Sequence, residues 1–436
     1  MLDPHSTRPG IRSVPPRTLE SLTWCLVAVL AVVATIRLAD GFERLVFAPR
    51  DGAVDLRLRF DETRAWFDGY WVSGAVYPPA SQALLWPVVG WLPFPGVRIL
   101  WAVLSLGALG WLSFLCAREC GLRSTAGKAA CGFLPLASSA TASAVGIGQI
   151  APIFLPIVVT AVLWMSQGAS RRADSQGAAV LLTIASLKPT LMAPFAWLVL
   201  LLPRSWRPAL VAGSLYLALS LVAVAVHVTH RPARFQKPVR NPPSVAAKVG
   251  AEIAAKTRWA TSREPPKTTG KTAYFGGYGN LQNLSERLGL VGIRNFILPF
   301  ASLLACGAWL FRHRRTDPWI LLGVCGIAAR LGWYHRFYDD MLILLPAIAL
   351  VRVAASSGAR DGVDRPTARI AVILVAATLA HLLVPGTIGR NLKAWRSVAA
   401  VVIWCADLLF LATVASSFEN DSEAPRPEVV ATTGAS

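Results

Sequence analysis

Residues 177–202 read GAAVLLTIASLKPTLMAPFAWLVLLL, an apolar run with one charge, Lys188, and a proline directly after it. A hydrocarbon core about 30 Å thick takes roughly 20 helical residues at about 1.5 Å each. The run is long enough, but Pro189 lacks a backbone donor and restricts the residue before it, so Lys188-Pro189 interrupts the helix. A lysine at that depth is costly unless it reaches the interface or finds an anion. Either one interrupted helix crosses here, or two half-helices turn back with Lys188-Pro189 at the apex. The second arrangement keeps Arg171, Arg172, Arg204, Arg207 and the later run Arg312 to Arg315 on one side, as the clustering of positive charge in short cytoplasmic loops favours.

The rest of the chain has the same character. Of its 436 residues 54% are hydrophobic and only 15% charged, against about a quarter charged in a soluble domain. The mean hydropathy is +0.49. The apolar residues fall in blocks at 21–38, 97–117, 129–147, 150–166, 208–226, 293–311, 319–333, 341–354, 370–385 and 398–416. Lipid offers no partner to backbone N–H and C=O groups, so these blocks must be helices. The expected fold is an all-α polytopic membrane protein with about 10–12 transmembrane or half-membrane helices.

The formal net charge of +19 does not point to nucleic acid, because no fold or motif for it accompanies the charge. Lys and Arg collect at helix ends and in loops near anionic lipid. The seven cysteines are odd in number and lie mostly inside apolar segments. Cys116 and Cys120 have metal-compatible spacing but no second ligand pair, so all read as small thiols. The first block follows Arg8, Arg12 and Arg17, is long for a signal-peptide core and lacks a small-x-small cleavage site; it reads as an uncleaved anchor. The organisation expected is a cytoplasmic tail (1–20), a transmembrane domain (21–416) with external loops at 39–95 and 227–290, and a disordered cytoplasmic tail (417–436). The loop at 227–290 is unusually basic for an external segment, but long loops obey the charge rule poorly.

Candidate chemistry lies in four places. The loop at 39–95 carries Asp51, Asp55, Asp61, Glu62 and Asp68 among Arg57, Arg59 and Arg64. It is either a self-paired solvated surface or the source of a general base for a hydroxyl nucleophile, and composition does not choose among the carboxylates. Tyr77-Pro78-Pro79 fixes an extended turn before an amphipathic stretch at 81–94. Lys188 either snorkels to a headgroup or holds a phosphate at converging half-helix ends. The run 334–340, YHRFYDD, is either an interfacial belt or a phosphate site, with His335 and Arg336 as cations and Asp339 and Asp340 balancing them. Asn283-Leu284-Ser285 matches a glycosylation sequon, a match common by chance.

Taken in order, the acidic first loop, Val76-Tyr77-Pro78-Pro79, Trp91-Leu92-Pro93, Gly148-Gln149, Leu187-Lys188-Pro189 ahead of Arg204-Ser205-Trp206-Arg207, and a late histidine resemble glycosyltransferase family 87. These are mannosyl- and arabinofuranosyltransferases of the C-type membrane fold. The resemblance implies a polyprenyl-phosphate-sugar donor, mannose foremost, and a lipid-linked glycan acceptor. The two are joined at the external face of the cell membrane by an inverting displacement without metal or soluble cofactor. It puts the catalytic aspartate at Asp55, with Gly69 following Trp66-Phe67. A short spacing to Tyr77-Pro78-Pro79 leaves Asp61 as the fallback. It puts Lys188 and His335, with Arg336 beside them, on the donor phosphate, and Gln149 and Tyr77 on sugar or acceptor. The basic insert at 227–290 departs from the family pattern. The alternatives are a secondary transporter with a midplane site around Lys188 and a non-catalytic, lipid-binding assembly protein.

Overall fold

The structure is a computed structural model and describes residues 16–48, 52–70, 77–166, 172–203, 206–230, 280–290, 292–332, 337–356, 364–384 and 390–418. Its elements are α1 (Pro16–Val46), α2 (Val54–Phe67), α3 (Pro79–Val89), α4 (Phe94–Glu119), α5 (Thr125–Ala137), α6 (Ser139–Ile147), α7 (Ala151–Ser166), α8 (Arg172–Ala185), α9 (Pro189–Leu201), α10 (Trp206–Thr229), α11 (Leu281–Arg287), α12 (Ile297–Arg312), α13 (Pro318–Gly332), α14 (Leu344–Ala355), α15 (Arg365–Leu383) and α16 (Arg390–Val414). Short 3-10 turns cover Gly292–Phe296, Phe337–Ile343 and Ala415–Phe418. Among the described residues six helices are long and apolar enough to cross a membrane, and α5 with α6 make a seventh span if that bent pair counts as one. The chain is an all-α, multi-pass membrane protein.

Long helices form the periphery and short ones the centre. The span Trp206–Thr229 has only 11% of its most apolar window buried, and Leu210, Leu217 and Leu221 point outward, as lipid-facing side chains do. In α7, by contrast, Phe154, Leu155, Val158 and Val162 are all enclosed. Its 16 residues reach only about 24 Å, too short to span lipid alone but adequate inside a ring of other helices. α13 is enclosed in the same way, with Trp319 fully buried.

Two arginines reconcile broken helices with a low-dielectric surrounding. α5 and α6 meet at Ser138 with a bend of 42°, which frees backbone carbonyls that lipid cannot satisfy. Thr141 Oγ1 donates to the Pro135 carbonyl at 2.6 Å. Arg37, from α1, donates to the Ala137 carbonyl and, with its other terminal nitrogen, to that of Leu383 at the end of α15. Ser139 Oγ completes the joint, donating to Leu382 at 3.0 Å. Arg98 of α4 does the same for the end of α1, donating to the carbonyls of Arg44, Leu45 and Ala48. α1 and α6 approach backbone to backbone: a Cβ on Gly41 would lie 2.9 Å from the Ala142 oxygen, the usual role of a small residue between membrane helices.

Differences from the sequence expectation concentrate in the loops. The first helix continues past residue 38 to Val46. The amphipathic stretch expected at 81–94 is α3, opened by Pro79 and closed before Gly90. The acidic part of the same loop is itself a helix, α2, which buries Leu56, Phe60, Thr63 and Trp66 along one face. α2 and α3 are linked by Thr63 Oγ1 donating to Gln82 Oε1 at 2.7 Å.

The run at 177–202 is broken where proline requires it, with α9 starting at Pro189 and Lys188 out of helical conformation at φ −117°, ψ 86°. Its two halves pack against different neighbours, α8 on α7 and α10, α9 on α12 and α13, rather than along each other. The sequon lies in α11, where Ser285 is buried and donates to the Leu281 carbonyl. All seven cysteines are free. Residues 231–279, most of the basic loop, and the tail from 419 lie outside the described residues.

Candidate functional site

Asp55 is placed by an unusually close chain approach. Gly52 has no room for a side chain, since a Cβ there would overlap the Arg44 carbonyl at 1.8 Å. Ala53 takes a left-handed conformation with φ 55°, and its N–H donates to the Gly146 carbonyl at 2.9 Å. α2 then starts, with Asp55 in its first turn, where the helix dipole favours a carboxylate.

The turn after α6 meets this helix end. Gly148 is left-handed with φ 73°. Its N–H donates to Val145, and that of Gln149 donates to Ala144, the paired bonds that close a helix at a left-handed glycine. A Cβ on Gly148 would lie 2.5 Å from the Leu56 Cβ. Glycine therefore allows the turn to press on the first turn of α2, and the next residue, Gln149, reaches Asp55.

Four side chains form a continuous relay. Gln149 Nε2 donates to Asp55 Oδ2. Lys188 Nζ points to Gln149 Oε1 at 3.5 Å and donates to Asp339 Oδ1 at 3.1 Å. The orientation of the Gln149 amide follows from its neighbours, because the reverse would set oxygen against carboxylate and NH2 against ammonium. The Lys188 ammonium also lies 5.7 Å from the centre of the Tyr338 ring.

Tyr77 closes the group on the α2–α3 side. The Arg59 guanidinium stacks 4.2 Å from its ring centre and pairs with Glu62. Burial holds the Tyr77 phenol above its ordinary range while the charges of Lys188 and Arg59 pull the other way; it keeps its proton at neutral pH.

The structure thus gathers Asp55, Gln149, Lys188 and Tyr77 from four separate stretches of chain. Asp61 is not among them. It is exposed and six positions along α2, about 240° round the helix at 3.6 residues per turn. His335 and Arg336 lie outside the described residues.

Asp339 is the addition. Sequence reasoning set it beside His335 and Arg336 as a balancing charge; among the described residues it pairs with Lys188. Its neighbour Asp340 accepts from Arg330 Nε and lies 3.4 Å from His381 Nε2. Arg330 and His381 both pack on Trp404, at 4.7 and 5.4 Å. One turn away Thr378 donates to Asp407 at 2.7 Å. The signal for this second cluster was a single charge or His in each of three apolar runs.

Chemically, the site presents a carboxylate, a protonated phenol, an amide and a buried ammonium with its own counter-ion. No family model matches the chain, and no curated protein or solved structure matches it.

Proposed function

We propose that the chain is a membrane glycosyltransferase that moves a hexosyl or pentosyl unit, mannose foremost, from a polyprenyl-phosphate-sugar to a lipid-linked glycan at the external face. The observation that carries this reading is the relay Asp55–Gln149–Lys188. It joins a carboxylate suited to take a proton with an ammonium suited to balance a phosphate, within an apolar helical body that a lipid-borne donor could enter. In the reaction the acceptor hydroxyl oxygen forms a bond to the anomeric carbon from the face opposite the phosphate. The bond from that carbon to the phosphate oxygen breaks, and its electron pair stays on the phosphate. Asp55 takes the hydroxyl proton, Lys188 faces the growing phosphate charge, and Tyr77 and Gln149 offer hydrogen bonds to sugar hydroxyls.

The test is transfer by reconstituted protein supplied with radiolabelled polyprenyl-phosphate-mannose or -arabinose and a panel of lipid acceptors. Label moving to an acceptor is expected; no transfer with any pair would overturn the reading.

One observation favours transport instead: Lys188 sits at a helix break already paired with Asp339, as a transporter's midplane ion pair would be. Substrate uptake into proteoliposomes, lost on Lys188→Ala, would support that reading.

A further inference from the structure

Lys188 has 12% of its side chain exposed and Asp339 has 2%. A buried ammonium without a counter-ion is costly, and the Asp339 carboxylate lets Lys188 stay charged inside the protein. The same carboxylate opposes the use of Lys188 on an anion, because it competes for the ammonium protons and repels incoming negative charge. Among the described residues the relay joins two carboxylates, Asp55 and Asp339, to the Lys188 ammonium.

Resting on the transferase reading, we propose that Asp339 is a resident counter-ion that Lys188 exchanges for the phosphate of the lipid carrier, and that this exchange lets the spent carrier leave.

The chemistry of the leaving group explains why a release device is needed. The donor is a phosphodiester with one negative charge. When the sugar–phosphate bond breaks, the carrier becomes a monoester with a charge of about −1.5 to −2 near neutral pH. An ammonium alone would hold the product more tightly than the substrate, and the site would fill with spent carrier. Asp339 offsets this twice, by taking the ammonium back and by repelling the dianion more than the monoanion.

The two partners differ in freedom. A lysine is a point charge on a four-carbon stem and can swing between acceptors. Asp339 belongs to the turn Phe337–Ile343, whose next residue, Asp340, is held by Arg330 and His381. The carboxylate therefore stays while the ammonium moves.

The experiment measures binding of tritiated nonaprenyl phosphate, its methyl diester and neutral nonaprenol to full-length protein in phosphatidylcholine nanodiscs. A parallel set of discs contains phosphatidylglycerol, to separate the carrier from a bulk lipid headgroup. The wild type should bind monoester and diester within about threefold of each other, whereas Asp339→Asn should bind the monoester about tenfold tighter and widen its preference over the diester. Asp339→Glu, which keeps the charge, should resemble the wild type. A preference unchanged in Asp339→Asn, with Lys188-dependent binding intact, overturns the counter-ion role and leaves the transferase reading standing. Binding of both esters that is no tighter than nonaprenol, and indifferent to Lys188→Ala, overturns the carrier-phosphate site itself. Should Asp339→Asn not assemble, a wild-type preference for monoester over diester greater than about tenfold overturns the proposal on its own.

Discussion

Asp339 and Asp340 are consecutive in the chain yet hold partners in different parts of the molecule. Asp339 pairs with Lys188 between α8 and α9, and Asp340 with Arg330 of α13 and His381 of α15. A 3-10 turn advances about 120° per residue, so adjacent side chains point apart and one short segment can tie the site to the carboxyl-terminal helices. Arg330→Leu would leave Asp340 buried without its guanidinium, a loss of about 3–5 kcal/mol for a broken buried pair. Its melting temperature in detergent should fall clearly below wild type, and adding Asp340→Asn should recover part of the loss. A double variant no more stable than Arg330→Leu would refute the pairing as the cause.

Asp55→Asn keeps the shape of the side chain and removes its basicity. Transfer rate should drop about 10²-fold or more, with carrier binding retained. Asp61→Asn, on the exposed side of α2, should transfer at close to the wild-type rate. Initial rates in proteoliposomes decide this, and the reverse ranking would move the base to Asp61.

Gly148→Ala tests the close approach that brings Gln149 to Asp55. A left-handed alanine costs about 1–2 kcal/mol, and the new methyl overlaps the Leu56 side chain. The first turn of α2 must move, and a shift of that kind should reduce transfer about tenfold or more. Gly213→Ala, where nothing lies within 4 Å of the added Cβ, should leave transfer unchanged.

Arg37→Met removes donors to the Ala137 and Leu383 carbonyls. Each buried carbonyl left unsatisfied costs about 1–3 kcal/mol, and for a chain of this length the melting temperature should drop by about 2–6 °C. Fluorescence-monitored melting in detergent checks it. An unchanged melting temperature would mean that other groups satisfy the bend.

An alkaline-phosphatase fusion after Arg207 should be inactive if the chain turns back at Lys188, and active if 177–202 is one crossing. Impermeant thiol labelling of single cysteines at Ser73 and Tyr338, with the seven natural ones replaced, should then mark both positions from outside the cell.

The sequence shows the helices because their cause is local: an apolar block in lipid has one way to satisfy its backbone. The break at Lys188-Pro189 is visible for the same reason, since proline acts on its own neighbours. α2 is hidden because Asp55, Arg57, Arg59, Asp61, Glu62 and Arg64 mask a stripe of Leu56, Phe60, Thr63 and Trp66. Tertiary pairings are less legible still. Asp339 could balance any nearby cation, and only the fold assigns it to Lys188, 151 residues earlier. The same holds for Arg37, which in sequence is a lone charge near the end of an apolar run.

The reach of Arg37 also bears on how the protein is made. Its second carbonyl partner, Leu383, lies 346 residues downstream, which at roughly 5–20 residues per second is about 20–70 s of synthesis. During that interval the first helix is already in the bilayer with a guanidinium whose final acceptor has not been translated. α1 packs on α4, α5 and α6, which are made early, so what waits for α15 is this one carbonyl, and a chain stopped before residue 365 cannot supply it. Such truncations should remain with membrane quality-control factors that shield polar groups in lipid, while full-length chains are released from them.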